Sequence, residues 1–128
     1  MKTETHLKQH ELTRDVIGAV YDAYNRLEFG LQEKHYQRAV AIELEKRGLA
    51  FQREQTRPIR YEGRIIGRYY ADFIIQGAVI LELKIANEIL ETHVRQVLGY
   101  LHAWKLSIGI LAVILPKKVL IKRVILDP

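Results

Sequence analysis

Apolar residues recur at helical spacing in two stretches of the first 50 residues. One stretch predicts a helix over about residues 13–27. The next predicts a helix over about residues 32–47, which ends at Gly48 because glycine is a common C-terminal cap. Residues 1–10 are polar, and we expect them to form an N-terminal tail.

The spacing of apolar residues changes to that of β-strands after Gly48. The predicted elements are an edge strand near residues 51–57, strands near 58–61, 64–75 and 78–84, a helix over about 90–105, and strands near 107–114 and 119–125. Turn signals at Glu62-Gly63 and Gln76-Gly77 separate the middle strands. This order predicts an α/β fold in which a mixed β-sheet is flanked by helices.

Three ionisable residues lie on predicted strands that are otherwise apolar on both faces: Asp72, Glu82 and Lys84. Such strands are buried on both sides, and an unpaired buried ion costs several kcal/mol. A divalent cation between the two carboxylates, with the ammonium of Lys84 nearby, would compensate their charge. The alternative is that Glu82 and Lys84 mark the end of a strand in solvent and that Asp72 makes one buried salt bridge.

The hairpin around Gln76-Gly77 decides whether Asp72 and Glu82 meet. A two-residue turn pairs Asp72 with Leu81 and sends the carboxylates to opposite faces of the sheet. A three-residue loop that begins one residue earlier pairs Asp72 with Ile80, and Glu82 is then a diagonal neighbour on the same face. A metal site therefore predicts an odd-length loop or a bulge at this hairpin.

The predicted helices carry further polar candidates beside their apolar stripes. His93, Gln96 and Tyr100 share one face of the third helix at spacings of three and four, as ordinary hydrogen-bonding side chains at a helix edge also do. Glu33 and Glu43 border or lie on the apolar stripe of the second helix. Each glutamate is either held in a salt bridge or directed at a site, and the pattern leaves both open.

These residues together resemble one family. Residues 30–36 (GLQEKHY) match the motif that names the GxxExxY proteins, which are placed in the PD-(D/E)XK nuclease superfamily. The resemblance, over about residues 11–126, continues through AIEL at 41–44, YADF at 70–73, LELK at 81–84 and QVLGY at 96–100, a QxxxY motif like that of RecB-type nucleases. Ala71 stands where the superfamily motif has its proline.

The resemblance implies a restriction-endonuclease-like fold: one domain over residues 1–128 with an αβββαβ core and an extra N-terminal helix. It also implies that Asp72, Glu82 and the main-chain carbonyl of Leu83 are ligands of Mg²⁺ or Mn²⁺. Lys84 would be the catalytic lysine that assists the attacking water.

The same resemblance assigns roles to helical side chains. Glu33 resembles the acidic residue that the first core helix contributes to the site, and Glu43 is the alternative. Gln96 and Tyr100 would orient the scissile strand or the metal ligands. The implied function is a metal-dependent nuclease that hydrolyses phosphodiester bonds of nucleic acid, with DNA expected as the substrate ahead of RNA.

Composition changes this picture little. The net charge of +5 and a pI near 9.5 are compatible with a polyanionic partner, and the absence of cysteine excludes thiolate-held metals. No apolar run approaches the length of a membrane span, so a cytoplasmic location is expected. The basic residues predicted to bind the phosphate backbone, or else to lie on solvated strand edges, are Arg57, Arg60, Arg64, Arg68, Lys117 and Lys118.

Two rival functions stay open at this point. In the first, the chain is a catalytically silent binding or regulatory module. In the second, it is a subunit of a larger DNA-processing assembly and is inactive alone. A homodimer is a further expectation, because many nucleases that cut duplexes act in pairs.

Overall fold

The computed structural model describes residues 3–28 and 30–127, with side chains from residue 9 onwards. Its elements in chain order are α1 (Thr3–Arg26), α2 (Glu33–Lys46), β1 (Phe51–Tyr61), β2 (Arg64–Ile75), β3 (Val79–Ile85), α3 (Glu91–Trp104), β4 (Ile108–Ile114) and β5 (Val119–Ile125). None of the helices in this part of the chain is both long and apolar enough to cross a membrane.

The five strands form one mixed sheet in the order β1-β2-β3-β4-β5. Only the β3–β4 pair is parallel. On one face, α1 and α2 cover a core that includes Leu44 and Phe73, and on the other face α3 covers a core that includes Ile80 and Leu101. This arrangement confirms the predicted α/β fold with its αβββαβ order and extra N-terminal helix.

Two predicted boundaries are wrong. Helix α1 begins at Thr3, so residues 3–10 are not a tail; this segment contains good helix formers and neither glycine nor proline. Residues 1–2 of the predicted tail lie outside the described residues. Strand β1 is continuous through Pro58, where two strands were expected, because an edge strand tolerates a residue that lacks an N–H.

Candidate active site

Strands β2 and β3 pair over only a short distance before they diverge. Their register sets Phe73 opposite Leu81, Ile74 opposite Ile80 and Ile75 opposite Val79. The connecting loop therefore has three residues, 76–78, and its odd length agrees with the prediction. The loop begins one residue later than expected, so Asp72 lies opposite Glu82 and not opposite Ile80. The two carboxylates face each other where the strands part.

Side-chain hydrogen bonds replace the backbone ladder at this divergence. The N–H of Asp72 donates to Oε1 of Glu82 at 2.9 Å, and the N–H of Leu83 donates to Oδ2 of Asp72 at 2.9 Å. Each carboxylate is thus anchored to the main chain of the opposite strand through one oxygen. The other oxygen of Glu82, Oε2, lies 3.8 Å from Nζ of Lys84.

The alternation of side chains along β2 is interrupted at Asp72. Tyr69 and Ala71 pack on the α3 side of the sheet, whereas Phe73 packs on the side of α1 and α2. Glu54, the β1 residue opposite Asp72, has a left-handed φ of 54°. The two strands therefore bend together at this point, and Asp72 directs its carboxylate at β3 instead of at either layer of helices.

The electrostatics of the carboxylate pair are unfavourable for two negative charges. Glu82 is 3% exposed, and burial, followed by the charge of Asp72, raises its pKa to about 8. Burial likewise raises the pKa of Asp72, although the N–H of Leu83 and the ammonium of Lys84 oppose the rise. Lys84 and, more weakly, the guanidinium of Arg53 oppose the rise at Asp72, but the pKa values of both carboxyl groups stay raised, so the pair suits a further cation.

Glu33 is the first residue of α2 and is close enough to Asp72 and Lys84 for their charges to act on it. Burial and the nearby charge of Asp72 raise the pKa of Glu33, and the ammonium of Lys84 lowers it. Glu33 therefore lies within electrostatic range of Asp72 and Lys84.

Tyr100 approaches the carboxylates from α3. Burial, and then the charges of Glu82 and Asp72, raise the pKa of its hydroxyl well above the usual range. Its ring packs edge-on against Tyr69 and Trp104, with centroid distances of 6.0 and 6.3 Å. The hydroxyl therefore stays protonated at neutral pH and is available as a hydrogen-bond donor.

Glu43, the alternative acid, lies in a different environment. Its carboxylate forms salt bridges with Lys46 at 3.1 Å, Arg26 at 3.3 Å and Arg47 at 3.4 Å. These partners come from α1 and the C-terminal end of α2. The geometry thus favours Glu33 as the helical acid of the site.

The other candidates on α3 are less closely tied to the carboxylates. Gln96 is exposed one turn before Tyr100. His93 accepts a hydrogen bond at Nδ1 from the N–H of Leu90, 3.2 Å away, at the start of the helix. This is the ordinary capping role that its position on a helix edge allows.

All the basic residues predicted to bind phosphate are exposed, but they do not share one surface. The guanidinium of Arg57 lies over the ring of Trp104, 5.6 Å from its centroid, on the α3 side of the sheet. Lys117 and Lys118 lie in the turn between β4 and β5.

Sequence reasoning missed two residues near the carboxylates. The guanidinium of Arg53 lies 5.3 Å from the ring centroid of Phe73 and lowers the pKa of Asp72, and its buried Nε has no hydrogen-bond partner among the described residues. Tyr70, two residues before Asp72, is 60% exposed. The unbroken polar run at 52–57 gave no signal that Arg53 would be half-buried, and the apolar run around Tyr70 pointed to burial.

The sequence model of the PD-(D/E)XK nuclease superfamily matches residues 10–124. The chain belongs to this superfamily. The match covers both helical layers and almost the whole sheet, so the superfamily assignment applies to the fold as a unit. Among curated proteins, none matches the sequence.

The superfamily fold is also found in a solved structure that resembles this chain. The crystal structure of SSO0001 matches with a TM-score of 0.60 and 22% sequence identity, and the match covers 74% of this chain. The chain spans about half of SSO0001, 52% of its length. At this identity the likeness supports the restriction-endonuclease-like fold alone.

Proposed function

We propose that this protein is a Mg²⁺- or Mn²⁺-dependent nuclease of the GxxExxY type. It hydrolyses phosphodiester bonds of nucleic acid in the cytoplasm, with DNA preferred over RNA as the substrate. The observation that carries the proposal is the pair of buried carboxylates of Asp72 and Glu82, anchored opposite each other with Lys84 beside them. These residues correspond to the D, E and K of the superfamily motif.

The donor atoms at the divergence of β2 and β3 fit a hard divalent cation. Oδ1 of Asp72 and Oε2 of Glu82 do not take part in the hydrogen bonds to the main chain, so both oxygens are available to a metal ion. The carbonyl of Leu83 leaves the same strand edge as its N–H, which bonds Asp72, so it also faces the gap. No cluster of three or more metal-binding side chains occurs among the described residues, and Mg²⁺ suits so sparse a set because it keeps several waters.

Asp72, Glu82 and the carbonyl of Leu83 would hold the ion. When bound, it would supply a water of lowered pKa and would offset negative charge on the phosphate during in-line attack. The anchoring hydrogen bonds fix both carboxylates before substrate arrives, which limits the reorganisation that binding would otherwise require.

The remaining side chains act on the water and the phosphate. Nζ of Lys84 stabilises the attacking oxygen and the negative charge that develops on the phosphoryl oxygens. Glu33, with its raised pKa, accepts a proton from the water. The protonated hydroxyl of Tyr100 donates a hydrogen bond to a phosphate oxygen or to a ligand carboxylate, and Gln96, one turn away, contacts the scissile strand.

The decisive experiment compares wild type with Asp72→Asn and Lys84→Ala on single-stranded, duplex and branched DNA and on RNA. We expect cleavage by wild type in Mg²⁺ or Mn²⁺ and none in EDTA. Asp72→Asn keeps an oxygen that can accept the N–H of Leu83, so it should fold but lose both cleavage and metal binding. Lys84→Ala should lose cleavage and keep metal binding by calorimetry.

Asp15→Asn is the matched control, because Asp15 is exposed on α1, outside the residues proposed for catalysis. This variant should cleave like wild type. If wild type cleaves no substrate and binds no divalent metal, the nuclease proposal fails in favour of the silent binding module.

A further inference from the structure

The β1–β2 hairpin has two unlike faces beyond the bend at Asp72. One face packs on α3 through Tyr69, whose ring meets Tyr100, and through Arg57, which covers Trp104. The opposite face continues the side of the sheet that α1 and α2 cover elsewhere, but Tyr70 on it is 60% exposed. One face of this hairpin is therefore packed on α3, and the other face is exposed to solvent beside the carboxylates.

The open face consists of a defined set of side chains, which we call the outer hairpin face: Arg53, Thr56, Arg60, Arg68 and Tyr70. In the register of the hairpin, Thr56 pairs with Tyr70 and Pro58 pairs with Arg68. The register shifts between Ile59 and Arg60, and alternation along β1 keeps Arg60 on the face of Thr56 and Pro58. Arg60, Arg68 and Tyr70 are exposed, whereas Arg53 is half-buried nearest the bend. All the charged members are arginines, so the surface has positive charge and one accessible aromatic ring.

Arg53 gives an independent indication of a ligand. Its Nε is buried without a hydrogen-bond partner among the described residues, although a buried N–H of a charged group normally has one. The same guanidinium lies 5.3 Å from the ring centroid of Phe73, the residue that follows Asp72. A phosphate beside the scissile bond would meet the half-buried guanidinium that carries this donor.

We propose that the outer hairpin face binds the single-stranded part of a nucleic-acid substrate and leads it to the carboxylates. Tyr70 stacks on an unpaired base, Arg60 and Arg68 contact the backbone phosphates, and Arg53 contacts a phosphate next to the scissile one. This inference rests on the proposed nuclease function and adds a substrate class to it: strands that are unpaired next to the scissile bond.

An unpaired strand fits this surface better than a duplex does. A ring that lies open on a strand face offers a stacking platform to any base, but bases within a duplex are already stacked on their neighbours. Tyr70 and Arg68 are two residues apart on β2, or about 7 Å, so a base and a phosphate of one strand are contacted side by side.

The test measures binding by fluorescence anisotropy in EDTA, so that cleavage does not enter. The probe is a fluorescein-labelled DNA strand of about 16 nucleotides, a length typical of single-strand binding sites, compared with its blunt duplex. Wild type should bind the single strand more tightly. Tyr70→Ala should raise the single-strand Kd about tenfold, and Tyr70→Phe should leave it unchanged because it keeps the stacking ring.

A matched control lies on the same hairpin. Tyr61 is 64% exposed and pairs with Arg64 beyond the register shift at Ile59. Alternation along β1 places Tyr61 on the face opposite that of Thr56 and Arg60. Tyr61→Ala should bind like wild type. Arg68→Ala should weaken binding and reduce the salt slope by about 0.7, the value for one phosphate contact on a single strand.

Equal affinity for single strand and duplex, with Tyr70→Ala no weaker than Tyr61→Ala, overturns the inference. A wild-type dimer that Tyr70→Ala converts to monomer in sedimentation also overturns it, because the surface then binds a second copy. Cleavage separates the two proposals: selective single-strand binding without cleavage in Mg²⁺ or Mn²⁺ counts against the nuclease function alone. Metal-dependent cleavage that is unchanged in Tyr70→Ala counts against the inference alone.

Discussion

Two glutamates are buried among the residues whose side chains the structure describes, Glu43 on α2 and Glu82 on β3, and their surroundings are opposite. Glu43, 6% exposed, forms salt bridges with three cations, and its hydrogen bond with Lys46 contributes most to lowering its pKa. Glu82, 3% exposed, faces Asp72 and has one ammonium at 3.8 Å, and burial followed by Asp72 raises its pKa to about 8.

The difference shows that a buried charge marks a functional site only when the fold leaves it uncompensated. The partners of Glu43 balance its charge, so it contributes to the stability of the helical layer. Glu82 is held by the main chain beside a second carboxylate, an arrangement that costs folding free energy. Such a cost is typical of residues retained for chemistry.

The largest expected effect comes from neutralising each glutamate in turn. Glu82→Gln keeps an oxygen that can accept the N–H of Asp72 but removes the charge, so cleavage should fall by about 10³-fold or more. The melting temperature of the metal-free variant should rise or stay level. Glu43→Gln should keep the cleavage rate and lower the melting temperature by a few degrees, because it weakens three salt bridges.

Initial cleavage rates and thermal unfolding followed by circular dichroism measure both effects. Equal losses of activity in the two variants would contradict the contrast between the glutamates.

A smaller effect is expected in the pH dependence of stability of the metal-free protein. The pKa of Glu82 is about 8 when folded, above the ordinary 4.5, so its protonated form stabilises the fold. This contribution is complete below about pH 4.5 and is lost as the pH rises to about 8, an effect on the order of a few kcal/mol. Glu43 has a lowered pKa, so its contribution is present above 4.5 and is lost as the pH falls further.

Urea unfolding in EDTA between pH 5 and pH 8 tests the sign of the Glu82 effect. The free energy of unfolding should decrease across this range for wild type, and the decrease should be much smaller in Glu82→Gln. Added Mg²⁺ should restore stability at the upper pH, because it favours the ionised carboxylates. A wild-type protein that becomes more stable from pH 5 to pH 8 in EDTA would refute this account of Glu82.

The two environments differ in how much of each could be predicted from sequence. Lys46 and Arg47 follow Glu43 at helical spacings of three and four, so those salt bridges were accessible locally, whereas Arg26 comes from another helix. The residue that lies opposite Glu82 depends on where the loop between β2 and β3 begins. The odd loop length was predicted, but its start was off by one residue.

The one-residue error has a physical cause. A strand with one solvated face fixes its register through alternation of apolar and polar residues, but the residues around this loop are apolar on both faces. Ile74, Ile75 and Val79 are all buried, so apolar side chains are buried whether the loop begins at residue 75 or at residue 76. The same apolar run hid the exposure of Tyr70, which depends on where α1 and α2 stop covering the sheet.

The smallest expected effect concerns the loop that sets this register. Gly77 has a left-handed φ of 61°, and the space that a methyl group would occupy there is open, so Gly77→Ala should cost about 1 kcal/mol through the backbone alone. Gly67→Ala is the control: its methyl group would meet Ile59 at an ordinary 3.6 Å, and stability should change by less than about 0.5 kcal/mol.

Both glycine variants should keep the wild-type cleavage rate, because the buried pairs next to the loop hold Asp72 opposite Glu82. Urea unfolding and initial rates measure the two quantities separately. If Gly77→Ala lost cleavage with little loss of stability, the loop itself would hold the carboxylates in place. The surroundings of Glu82 would then depend on three loop residues, whereas those of Glu43 depend on the packing of two helices.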